Sequence, residues 1–253
     1  MEEIARRAFT RNMLGSLMTF SLVRILSKAD ALAHPVKSIV HPWVLEMEHV
    51  TRAMRARTVS QREWQESLQQ LLAHVDLSDL LRAIDYDALT KKVVFQASHE
   101  SVLEINLRKR EGLKTDFSFA PFFYAMKNGV SIVPHGHQNM ATMHMVLAGE
   151  AQALHYDRVA NDGDYLIIKQ VSDVLARPGD ASTVSDESTN IHWFKTVSNT
   201  VFMFNIGVFE INPKKPFTGR EYIDPLGGEK VGDGAIRARR LKEEEAYRIY
   251  GRS

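Results

Sequence analysis

The sequence predicts a mainly β fold, a small barrel or sandwich preceded by a helical region. Two observations carry this. Apolar residues recur every three or four positions up to about residue 90, and from about residue 92 the period becomes two. Turn signals then punctuate the chain at Asn128-Gly129, Gly149, Asp162-Gly163-Asp164 and Pro178-Gly179-Asp180.

The first segment is read apart from the fold. Arg6-Arg7, with Phe9 two positions on, precedes a moderately apolar run from Met13 to Val23 and then Ala31-Leu32-Ala33. A basic start, a short apolar stretch and a small-residue site form an export pattern. The paired arginines make it look like a twin-arginine signal, which exports folded proteins. Residues 1–33 are therefore expected to be a signal segment directing the protein to the periplasm. The alternative is an amphipathic helix of a cytoplasmic protein, because Glu2 and Glu3 precede the pair and Arg24 interrupts the run.

Residues 34–91 read as helical. Trp43, Val44, Met47, Val50 and Met54 share one face of a helix from Ile39 to about Thr58. Ser60-Gln61-Arg62-Glu63 is a capping box opening a second helix, with Trp64, Leu68, Leu71 and Leu72 on its apolar side. A short third helix spans Asp76 to Leu81, and Asp85-Tyr86-Asp87 begins a break. The expectation is a helical hairpin with an added turn, packed on the β domain C-terminal to it.

Residues 92–212 hold the strands: 102–107, 122–126, 131–137, 142–148, 151–156, 165–171, 191–194 and 201–209. Residues 213–253 are expected to form a strap and a short helix near Leu241–Tyr247, with Pro216–Asp224 as a lid or strap over the barrel mouth. Composition narrows the function classes. Thirty-two basic against thirty-one acidic residues argue against nucleic acid as a partner. There is no cysteine, which excludes disulfides, thiol nucleophiles and cysteine zinc sites. No stretch approaches the roughly 18 apolar residues of a membrane span.

Pro134-His135-Gly136-His137 and Asn190-Ile191-His192 carry the chemistry. Residues two apart on a strand face the same way, so His135 and His137 project together, and His192 comes from a second strand. Imidazole suits iron(II), nickel, copper and zinc, and three neutral ligands leave coordination positions open. The alternative is a chance pair on a polar strand face, given ten histidines in 253 residues.

Gly129, five residues, His135-Gly136-His137 and a hairpin closing at Gly149 resemble the first cupin motif. Pro178-Gly179-Asp180 before His192 resembles the second, and the resemblance covers roughly residues 120–210. It implies a double-stranded β-helix, or jelly-roll, barrel. Most cupins place a metal-binding glutamate four or five residues after the His-X-His. Ala141 and Thr142 stand there, so the carboxylate is missing; the thiol dioxygenases likewise lack it and hold iron(II) with three histidines. The run from His135 to Gly149 is similar to the cysteamine dioxygenase hairpin.

That resemblance implies metal ligands His135, His137 and His192, iron(II) as cofactor, and a small thiol or related molecule as substrate with O2. Nickel, copper and zinc stay open as metals. A non-catalytic metal- or ligand-binding cupin, acting as sensor or carrier, stays open as a function, as does other chemistry with another metal. Cupins commonly pair, so a homodimer is a possible assembly. Thr142 cannot form the cysteine–tyrosine crosslink of some cysteine dioxygenases, and Thr196 replaces the cupin asparagine after the last histidine.

Two further residues are catalytic candidates. His144 shares the face of Thr142 and would be a fourth ligand, a hydrogen-bond donor or a general base. Tyr222 could place a phenol at the metal, and Arg220 a guanidinium. His155-Tyr156-Asp157-Arg158 is read as a strand end fixed by an Asp–Arg ion pair. Arg108 and Arg110 are read as rim residues near Glu104.

Overall fold

The computed structural model describes residues 40–107 and 117–252. The expected signal segment, Arg108 and Arg110 lie outside them. Four helices come first among the described residues: α1 (Val40–Arg55), α2 (Gln61–Leu72), α3 (Leu77–Ile84) and α4 (Tyr86–Lys92). The Ser60 hydroxyl accepts from the Glu63 backbone while the Glu63 carboxylate accepts from Ser60, so the capping box starts α2 as expected. Asp85 adopts a left-handed conformation (φ 60°, ψ 56°), which ends α3 and lets α4 begin at once. Trp64 joins α2 to α1 by donating its indole N–H to Thr51 Oγ1 at 3.1 Å.

Eleven strands come next among the described residues: β1 (Ser101–Glu104), β2 (Ala120–Lys127), β3 (Ser131–His137), β4 (Met140–Ala148), β5 (Ala151–Asp162) and β6 (Tyr165–Ala176). The rest are β7 (Ala181–Val184), β8 (Ile191–Thr196), β9 (Thr200–Phe209), β10 (Arg220–Val231) and β11 (Ala235–Leu241), with helix α5 (Glu243–Tyr250) last. They form a five-stranded sheet in the order β1-β2-β9-β4-β7 and a closed barrel β10-β11-β6-β5-β8-β3. The fold is thus mainly β with a barrel, as the two-residue period predicts.

The segment expected as a strap differs. Residues 220–231 and 235–241 are strands that close the barrel, with β10 pairing to β3 through Tyr222↔His135 and Arg220↔His137. Their alternation is written in charges, Arg237, Arg239 and Arg240 against Glu221 and Glu229, so no apolar period betrays them. The expected Asp–Arg pair at the end of β5 is also absent. Arg158 pairs with Glu221 on β10, and Asp157 accepts from the Thr189 backbone at 2.7 Å. Strand β5 continues past Tyr156, so Arg158 meets β10 rather than its chain neighbour.

Among the described residues, three apolar clusters fill the fold. One face of the five-stranded sheet, including Phe123, Met143, Met145, Phe204 and Ile206, packs under the helices with Trp43, Met47, Trp64 and Leu68. Each large side chain fully buried there contributes about 1.5–3 kcal/mol relative to exposure. A second cluster, including Val133, Trp193, Tyr156, Ile168 and Ile223, fills the closed barrel beneath α5. A third, including Ile132, Val146, Ala153, Phe194 and Met203, lies between the two sheets. The histidines share the inter-sheet space with it.

Candidate metal centre

Strand register brings the histidines together. His135 on β3 lies opposite His192 on β8, and His192 lies opposite His155 on β5, so three imidazoles stand side by side across three strands. Tyr222 extends the row beyond His135 and Ser172 extends it beyond His155. His144 on β4 faces this row from the other sheet, its ring centroid 4.6 Å from that of His192.

A bulge aims the first ligand. Ile132 pairs with Phe194 and His135 with His192, which leaves one extra residue on β3 between them. Strict alternation over these three positions, with no bulge to absorb one of them, would put Ile132 and His135 on opposite faces. The bulge at Val133-Pro134 puts both on the inner face and sends Val133 into the barrel core. It also lets the His135 ring meet the Val133 carbonyl at 2.7 Å through Nδ1. That bond, with Nδ1–H as donor, leaves the Nε2 lone pair free.

Gly136 is required for a different reason. A Cβ there would stand 2.6 Å from Asn190 Oδ1. Asn190 donates to the carbonyls of His137 at 2.8 Å and Ser185 at 3.1 Å, tying the loop before β8 to the end of β3. The glycine between the histidines therefore permits the approach of the strand that delivers the third one.

One ring nitrogen from each of His135, His137 and His192 lies within 4.8 Å of the others, and all three residues are buried. His137 Nδ1 and Nε2 and His192 Nδ1 have no hydrogen-bond partner among the described residues. Burial pushes the His135 and His192 pKa values well below the ordinary imidazole range. Burial, and then the charge of Arg220, lower that of His137 to about 3. The rings are thus neutral at pH 7, with unpartnered nitrogens converging on one point and no carboxylate among them. That donor set fits a borderline divalent cation, which would satisfy nitrogens that nothing else satisfies.

The two catalytic candidates fall differently. His144 is buried and held neutral by burial and then by its histidine neighbours, and its Nδ1 has no hydrogen-bond partner among the described residues. It stands outside the three-nitrogen group, which does not include it as a fourth ligand. Tyr222 is half-buried on β10 with its ring 6.1 Å from His135. Burial raises its pKa, and its hydroxyl interacts with Glu243 and Arg220.

Two residues at the site escaped the sequence. His155 is in phase with buried Ala151 and Ala153 within the expected strand 151–156, and was read only as part of its polar end. Burial lowers its pKa to about 4. Glu100 left no signal, being a lone acid before a short strand. It pairs with Arg220, whose guanidinium also donates to Tyr247 Oη at 2.9 Å, while Tyr247 donates to Glu100. Burial opposes the Arg220 charge, but Glu100, with Tyr124 and Tyr247, together more than offset this and hold the pKa above the ordinary guanidinium value.

No protein-family model matches this sequence, and no curated protein matches it. Several solved structures are similar in part. A cupin superfamily protein from Desulfitobacterium hafniense shares 14% identity over 48% of this chain and 87% of its own, with a TM-score of 0.32. Recombinant oxalate oxidase in complex with glycolate shares 17% over 50% of this chain and 56% of its own, with a TM-score of 0.34. Procruciferin, an 11S globulin from Brassica napus, shares 12% over 46% of this chain, with a TM-score of 0.33. The chain spans 27% of that globulin's length. The chemistry of the site rests on its own residues.

Proposed function

We propose that this protein is a cupin-type, non-haem iron(II) dioxygenase that oxidises a small thiol or related small molecule with O2. The observation that carries the reading is the convergence of three buried, neutral imidazoles, two of them with ring nitrogens that have no hydrogen-bond partner among the described residues, with no carboxylate in the group. Iron(II) held by His135, His137 and His192 would supply a redox-active Lewis acid with positions open to both substrates. With no acidic ligand, the negative charge that balances the metal is left for a thiolate substrate to bring.

The surrounding residues have separate tasks. His135 is oriented through the Val133 carbonyl. Glu100 neutralises Arg220, which otherwise would set an uncompensated cation beside His137 and oppose a second one. His144 is the proton-handling residue, a neutral imidazole facing His192 with a free Nδ1. Tyr222 is a positioning residue for His135 and Arg220. The expected action in the periplasm rests on the paired arginines of the first segment, and N-terminal sequencing of the mature protein tests it: a start at Met1 or Glu2 overturns cleavage.

Elemental analysis of freshly purified protein, with oxygen-electrode assays over a panel of small thiols, tests the function. The expected result is iron near one per chain, lost in His135→Ala and His192→Ala. Those two variants staying folded while the wild type holds no metal would overturn the site. Iron present with no oxygen uptake on any thiol would overturn the thiol reading.

A further inference from the structure

Arg220 stands beside the three histidines on β10. It is the register partner of His137 on β3, and cross-strand partners share a face, so its side chain enters the same space between the sheets as the imidazoles. Tyr124, on β2 of the facing sheet, hydrogen-bonds to it, so the guanidinium reaches across that space. Arg220 is also the largest neighbouring charge acting on His135 and on His137. The three histidines are buried, whereas Phe122, Tyr124 and Tyr222 are partly exposed. The Arg220 side chain keeps 23% of its surface exposed, so an anion arriving between β2 and β10 would meet it.

A guanidinium so placed is suited to hold a carboxylate. That role is already filled from within the chain. Glu100, the residue before β1, sets a carboxylate oxygen 2.5 Å from Arg220 Nη1, with only 4% of its side chain exposed. Tyr247 of α5 links the two, accepting from Arg220 Nη1 at 2.9 Å and donating to the other Glu100 oxygen at 3.1 Å. Both carboxylate oxygens are therefore engaged, and the pair joins the two sheets beside the histidines. An incoming anion would have to break this ion pair and leave Glu100 buried and uncompensated, which is costly.

We propose that Glu100 is a specificity determinant of the metal centre, an internal carboxylate that occupies Arg220 and closes it to substrate anions. The inference rests on the reading of the site as a metal centre acting on a small thiol. Such a thiol is recognised at β10 without a carboxylate–arginine pair.

Calorimetric titration of the iron-loaded protein without oxygen tests this, with 3-mercaptopropionate, 2-mercaptoethanol and propionate as probes and metal content measured alongside. Glu100→Gln keeps the shape of the side chain and frees the guanidinium. It is expected to raise affinity for 3-mercaptopropionate about tenfold and to make propionate binding detectable, with 2-mercaptoethanol binding and metal content unchanged. The double variant Glu100→Gln/Arg220→Gln removes both charges, which a fold tolerates better than the loss of one. It is expected to bind all three probes as the wild type does. A folded Glu100→Gln protein with no gain for either anion overturns the proposal. Should Glu100→Gln not fold, the double variant decides. Affinity for 3-mercaptopropionate equal to that of the wild type supports the proposal. A fall of about tenfold shows that Arg220 already holds anions with Glu100 in place, and overturns it. Neither thiol bound by protein carrying its iron overturns the thiol reading, while propionate still reads the opening of Arg220 in Glu100→Gln.

Discussion

His144 and His192 approach from different sheets, and the difference in their roles can be measured. His144→Gln keeps a polar side chain of similar reach but no titratable ring. It is expected to lower turnover about a hundredfold with metal content unchanged, the size of a lost proton-transfer group. Steady-state oxygen uptake beside elemental analysis checks this, and loss of metal in the variant would make His144 a ligand instead. Gly136→Ala tests the contact that brings Asn190 to His137. The new methyl would stand 2.6 Å from Asn190 Oδ1, so a loss of about 1–3 kcal/mol is expected from overpacking. Urea denaturation reads it, and an unchanged midpoint would show that Asn190 yields freely. At this scale the sequence was informative where spacing alone decides, as in His135, Gly136 and His137. It was silent about Glu100 and gave His155 no place at the site, since both depend on partners about 120 and 37 positions away in the chain.

Elements carry the site through pairings that side-chain type does not announce. Strand β3 runs from Ser131 to His137 as the alternation predicts, yet the bulge at Val133-Pro134 decides which residues face inward. Strand β7, Ala181–Val184, is short and half polar, and β10 and β11 alternate in charge, so these three gave no apolar signal. Helix α2, by contrast, announced itself through its cap and apolar face. Its Gln65 does more than pack. The amide donates to the Thr183 carbonyl at 3.0 Å and to Thr189 Oγ1 at 3.0 Å, and accepts from Ser185 at 2.7 Å. It therefore braces the loop that leads to Asn190 and His192. Gln65→Leu leaves buried partners unsatisfied and is expected to cost about 1–3 kcal/mol. Its urea midpoint should fall in both metal-free and metal-loaded protein, and its metal affinity should weaken; a change in neither would separate the helix from the site.

The whole molecule keeps a set of imidazoles neutral in its interior, and that sets its response to acid. An unfolded histidine takes its proton near pH 6.5, whereas His155 in the fold resists until about pH 4 and His137 until about pH 3. Below pH 6.5 the unfolded state binds more protons, so stability is complete above that value and drains away as pH falls through the window from about 6.5 to 4 and below. For His155 alone the shift corresponds to about 3 kcal/mol. Thermal melts of the metal-free protein from pH 7.5 to 4 should show a steep decline that His155→Phe makes shallower; a flat profile would contradict it. The closure of the barrel by β10 has a consequence in time. Tyr222 and Arg220 seat against His135 and His137 across some 85 positions of chain, and β11 must return to β6 before the ring is complete. Such distant pairings form slowly, and here one partner is synthesised well after the other. The first two histidines are made long before the wall that holds them, so a metal taken up by the closed site would have to wait for β10.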